Sequence, residues 1–177
     1  MTGSRALFAA AGMMIVTGLL FLSSRTAIAG SRGPAVVSAD EASTAVIDRA
    51  LSLLPHRPEH IAVIDPATVK SEVRETLFRV DAFISKGQPA VYLSPHSEVL
   101  KGAREGSRIH AYMLAAIIWH EMAHLEGADE REAQRNEEGL WKRFVVERRV
   151  DPVTALRYLK AMDDRHGVRA AAAAERP

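Results

Sequence analysis

Residues 108–146 read RIHAYMLAAIIWHEMAHLEGADEREAQRNEEGLWKRFVV, and this stretch decides the fold. Arg108 to Leu125 is the most apolar helical pattern outside the N-terminal leader. Ser107 stands where an N-cap belongs, and Gly127 ends the pattern with a residue that lets the chain turn sharply. Asp129 followed by Glu132 reads as a capping box that opens a second helix over roughly residues 130–147. Leu140, Trp141, Phe144 and Val145 give that second helix its apolar face. The stretch therefore predicts a pair of helices joined by a tight glycine turn.

The end of the first helix carries the chemistry. His120-Glu121-Met122-Ala123-His124 places two histidines four residues apart. At 3.6 residues per turn they lie on one face, one turn apart. Two imidazoles so placed can bind one zinc ion and leave coordination positions open. Glu121 stands beside them, where a carboxylate can take a proton from an activated water. A third protein ligand is still needed. Glu130 is ten positions after His120, just past the Gly127 turn, so its carboxylate can swing back to the metal. Three matched residues arise in about one shuffled chain of this composition in fifty, and the longer spacing HExxHxxGxxE in about one in six thousand, so accident is a poor explanation. The expected site is therefore Glu121 as the catalytic residue and His120, His124 and Glu130 as ligands of Zn2+. Glu126 falls on the other side of the helix. Asp129 caps, or accepts from a ligating histidine, and Glu132 suits the capping box.

On these residues, Ile117 to Trp141, the chain resembles the zincin metallopeptidases. The Gly127 turn and the position of Glu130 are similar to metzincins, which have His at the third position and a downstream Met-turn; Met162 is the only candidate for one. Glu130-Arg131-Glu132-Ala133 resembles the ligand helix of gluzincins, especially the membrane-associated CAAX-protease type, with Gln134 where Asp is usual and a shorter gap between the two helices. The resemblance implies a minimal gluzincin, with Glu130 binding zinc and peptide or protein as substrate. It also implies a zincin-like active-site helix pair beside a small β-sheet, in a mostly helical α+β fold. Non-catalytic zinc binding, or a membrane-anchored interaction protein, is the alternative.

Outward from this core the chain is less explicit. Asp40 to Leu54 has Val46, Ile47, Ala50, Leu51 and Leu54 at helical spacing. Ile61–Ile64 and Ala90–Leu93 read as short strands, each followed by a proline-containing turn. Val69 to Ser85 reads as an amphipathic helix with Val73, Leu77, Val80 and Ile84 on one face, ended by Gly87. Ser97 to Arg104 reads as a short helix, and Asp151-Pro152 starts a last one through about Met162. His110 lies off the ligand face, and Ile118 and Trp119 read as core. Tyr92 reads as part of a hydrophobic strand, with an edge strand for an extended peptide as the alternative. His96, Tyr112, Tyr158 and His166 are open candidates for stabilising a tetrahedral intermediate. The charged run from Glu130 to Glu138 reads as a solvated face.

Residues 6–22 carry no charge, lie between Arg5 and Arg25, and lead to Ala27-Ile28-Ala29, a small-x-small pattern. Residues 1–29 are expected to be a signal peptide, or else an N-terminal membrane anchor that associates with the bilayer through 6–22. Either puts the remainder outside the cytoplasm, periplasmic or secreted. Residues 30–39 read as a linker, 40–166 as the folded domain and 167–177 as a frayed tail. Removing 29 of the 177 residues leaves 148, enough for one core. With 23 basic and 22 acidic residues the charge is near balance, which excludes a dedicated nucleic-acid binder. There is no cysteine, so disulfides and thiolate metal sites are excluded.

Overall fold

The structure is a computed structural model that describes residues 35–37, 40–85 and 87–162. The leader, the start of the linker, His166 and the C-terminal tail lie outside the described residues. Strand β1 (Ala35–Val37) falls within the stretch read as a linker. It is followed by α1 (Glu41–Leu51), β2 (His60–Val63), α2 (Ser71–Leu77), β3 (Ala82–Ile84), β4 (Ala90–Leu93), α3 (Glu98–Arg104), α4 (Arg108–Leu125) and α5 (Glu130–Val146). A last helix, α6, spans 152–162. The fold is α+β and mostly helical, with one small four-stranded sheet in the order β1-β2-β4-β3.

β1, β2 and β4 run parallel, and β3 pairs antiparallel on the outer side of β4. β4 thus lies inside the sheet and is buried along its whole length. Its side chains alternate between two apolar clusters, as the pleat requires. Val91 and Leu93 join the main core with Ile61, Leu114, Ile118, Trp141 and Phe144. Ala90 and Tyr92 join Leu77, Ile64 and Val69 on the other face. α4 fills the middle of the molecule and packs against α1, α3, α5, β3 and β4. Its lack of a polar face has that cause: it meets protein on most sides.

The cap reading holds for Asp129 and fails for Ser107, and Asp40 and Ser97 cap α1 and α3 as well. Asp40 accepts from the Ser43 backbone N–H at 2.6 Å, Ser97 from Leu100 at 3.1 Å and Asp129 from Glu132 at 2.8 Å. Ser107 occupies the N-cap position of α4 without a side-chain cap bond; its hydroxyl lies 2.7 Å from His110 Nδ1 instead. α1 stops at Leu51, three residues short of the expected Leu54.

Residues 69–85 depart further from expectation. Helix covers only Ser71–Leu77, and the chain then turns, with the Arg79 N–H donating to the Thr76 carbonyl, and enters β3. The ladder with β4 (Ala82↔Leu93, Ile84↔Val91) satisfies the backbone that a longer helix would have used internally. Gly87, at φ +81, serves the hairpin between β3 and β4, not a helix end.

Candidate metal centre

The turn after α4 sets the site. Gly127 has φ +95, a conformation that favours glycine. The Ala128 N–H donates to the Ala123 carbonyl and the Gly127 N–H to the His124 carbonyl, the paired bonds of a Schellman motif. This closure brings the Ala128 carbonyl to 2.9 Å from His124 Nδ1. A carbonyl only accepts, so Nδ1 holds the ring proton and Nε2 presents its lone pair. Asp129 then caps α5, and Glu130, its first residue, faces back across the turn.

Three side chains converge there. His120 Nε2 and His124 Nε2 are 3.2 Å apart. Glu130 Oε1 is 3.7 Å from His120 Nε2, and Oε2 is 3.4 Å from His124 Nε2. The imidazole side chains are 8% exposed, whereas Glu130 is 41% exposed, so the cluster opens to solvent on the carboxylate side. Ligand atoms about 2.0–2.1 Å from a tetrahedral zinc stand about 3.4 Å from one another. The two histidine nitrogens are near that spacing, Glu130 meets each ring through a different oxygen, and with one atom per residue all three lie within 4.8 Å of one another. Electron-pair donors aimed at one another repel unless a cation lies among them. The pKa of His124 is raised, by hydrogen bonding to the Glu130 carboxylate first, against the opposing effect of burial, with the Ala128 carbonyl and Glu121 adding to it. Two imidazoles and one carboxylate thus fit zinc. Among the described residues the cluster has three such donors, the number that leaves a fourth position open.

Glu121 lies in the field of this cluster. Burial pushes its carboxyl above the usual carboxylate range; His120 and His124 oppose the rise, and Glu130 and Glu137 add to it. A carboxyl raised in this way is a better base near neutral pH than an ordinary surface glutamate.

Two rivals of Glu130 are engaged elsewhere and the third is exposed. Glu126 Oε1 lies 3.1 Å from His56 Nε2, Asp129 is engaged as the α5 cap, and Glu132 is exposed. The second role considered for Asp129, holding a ligating histidine, is filled for His124 by the Ala128 carbonyl.

Several other candidates are placed away from the cluster. His96 stacks on Phe78 with ring centroids 4.0 Å apart. Tyr112 receives hydrogen bonds from Arg108 and packs on Phe144. Tyr92 is on inner strand β4 and donates to Gln88; the edges of the sheet are β1 and β3. Ile118 is fully buried, and Trp119 meets His56 edge-on at 4.8 Å. Met162, also buried, belongs to helix α6, so no Met-turn forms there.

One residue near the site was missed. Glu137 does not belong to a solvated face: its side chain is 7% exposed, and its Oε2 lies 3.0 Å from His120 Nδ1. Tyr158 donates to the other oxygen of that carboxylate. The signal was present in the spacing. Ala133, Glu137, Leu140, Trp141 and Phe144 form one buried stripe on α5, and Glu137 is seven residues, two turns, after Glu130.

No known family model, curated protein or solved structure matches the chain.

Proposed function

We propose that the protein is an exported zinc-dependent metallopeptidase of minimal gluzincin type, hydrolysing peptide bonds in a peptide or protein substrate. The observation that carries this reading is the convergence of His120 Nε2, His124 Nε2 and the Glu130 carboxylate on one point, open to solvent on one side. Zinc held by these three supplies a Lewis acid that lowers the pKa of water and polarises a carbonyl. The chain supplies the rest. Ala128 fixes the proton of His124 on Nδ1, so that Nε2 is committed to the site. Glu130, anchored at the first turn of α5, neutralises part of the ion's charge and still leaves one side of the site open. Glu121 accepts the proton of the attacking water on its carboxylate and returns it to the departing amine nitrogen. The apolar leader at residues 6–22 supports export or anchoring outside the cytoplasm.

Glu121→Gln tests the mechanism. The variant keeps its zinc and loses hydrolysis of casein or a peptide library; cleavage at the wild-type rate overturns the role of Glu121. Zinc retained with no hydrolysis by the wild type would favour the non-catalytic alternative.

A further inference from the structure

A buried carboxylate needs a reason. Glu137 sits within the apolar stripe of α5, 5% exposed, and Tyr158 beside it is equally buried. Taking a charge out of water is costly, and a buried ion pair adds little stability in return. An apolar side chain would serve the packing of α5 better. What Glu137 gains is one specific geometry: Oε2 at 3.0 Å from His120 Nδ1, with Oε1 accepting from the Tyr158 hydroxyl.

We propose that Glu137 and Tyr158 are a positioning pair that orients His120 for metal binding and couples helix α6 to the metal centre. The proposal rests on the zinc reading above. A carboxylate facing Nδ1 favours the ring proton there and leaves the Nε2 lone pair toward Glu130 and His124. Tyr158 occupies the second oxygen and holds the carboxylate plane. Tyr158 is itself fixed: its ring stacks on Trp141 with centroids 4.1 Å apart, and the Trp141 indole N–H donates to the Ala155 carbonyl at 3.2 Å. The contacts that dock α6 on α5 are therefore the contacts that aim His120. Coupling of this kind is reciprocal, so metal binding tightens α6 by as much as α6 docking favours the metal.

The test is zinc affinity of the full chain, by competition with a chromophoric chelator, for wild type, Glu137→Ala, Glu137→Gln, Tyr158→Phe, the double variant Glu137→Ala/Tyr158→Phe, and His120→Ala. Circular dichroism reports folding. Glu137→Ala weakens binding by about 10–100-fold. Glu137→Gln, which keeps an acceptor oxygen, falls between that variant and wild type. Tyr158→Phe weakens binding by a smaller factor, and the double variant binds no worse than Glu137→Ala, because Tyr158 acts through Glu137. A second readout is limited proteolysis: zinc protects residues 152–162 in wild type and does so less in Tyr158→Phe. If Glu137→Ala does not fold, Glu137→Gln and Tyr158→Phe decide the matter. Folded Glu137 and Tyr158 variants that match a tight-binding wild type overturn the positioning pair alone. Fully additive losses overturn the action of Tyr158 through Glu137. Wild type binding no tighter than His120→Ala overturns the zinc reading and the pair together.

Discussion

His124 takes its orientation from backbone four residues away, the Ala128 carbonyl of the Gly127 turn. His120, one helical turn earlier, meets side chains that arrive from far along the chain, Glu137 on α5 and, behind it, Tyr158 on α6. One imidazole is thus held by local hydrogen bonding and the other by tertiary packing. The difference predicts different vulnerabilities. The His124 side should survive damage to the C-terminal helices, and the His120 side should not. Glu130, which faces both rings, belongs to both halves.

The largest effect should come from that shared residue. Glu130→Ala removes a proposed ligand and is expected to lower zinc affinity well beyond the roughly 10–100-fold typical of an outer partner. Glu132→Ala, at an exposed position two residues on, should leave it nearly unchanged. Equal affinities for the two variants in a chelator competition would contradict the ligand assignment.

Trp141→Ala should come next, and it separates the two halves. The indole is fully buried where α5 meets α6. Truncation should cost about 3–5 kcal/mol in denaturant unfolding. It should also weaken zinc binding through the His120 side, with the His124–Ala128 bond left in place. A loss of stability below about 1 kcal/mol would mean that α6 docking does not depend on this ring.

Gly127→Ala attacks the other half. The added methyl meets no neighbour within 4 Å, so its whole cost is the left-handed backbone, about 1–2 kcal/mol. That strain should appear in stability and, through the Ala128 carbonyl, in zinc affinity. Unchanged stability would show that the turn tolerates a side chain.

The smallest effect is the acid sensitivity of the α6 cap. Asp151 accepts from the Thr154 N–H at 2.9 Å, and its pKa is lowered from 3.8, chiefly by hydrogen bonding to Thr154. A depressed folded-state pKa means a contribution to stability that is present above the unfolded value of 3.8 and lost as pH falls through the lower folded value. Asp151→Asn should therefore be slightly less stable than wild type near neutral pH, with the gap closing only in strong acid. A gap independent of pH would refute the assignment.

What the sequence made legible follows the same division between local and tertiary causes. α4, its glycine turn and the Asp129 cap were readable because capping and helical period are local properties. The donors His120, His124 and Glu130 were readable because their spacing needs only one helix and one turn. Residues 69–85 were misread because Val73, Leu77, Val80 and Ile84 fit a helical period, yet Ala82–Ile84 gains more from pairing with β4, which no local pattern reveals. Glu137 was overlooked because charge was weighed before register: its neighbours on the stripe are apolar, and it turns inward with them. Tyr158 could not have been paired with it, since the contact depends on how α6 packs on α5.

The proposed function is peptide hydrolysis at a metal centre built by His120, His124 and Glu130. The most direct measurement is zinc content and peptide hydrolysis on the same purified samples of the full chain, wild type beside His124→Ala. Near-stoichiometric zinc and cleavage in wild type, with both lost in His124→Ala, is the predicted result. Wild type that carries no zinc under non-chelating conditions, or a His124→Ala variant that retains both zinc and activity, would contradict it.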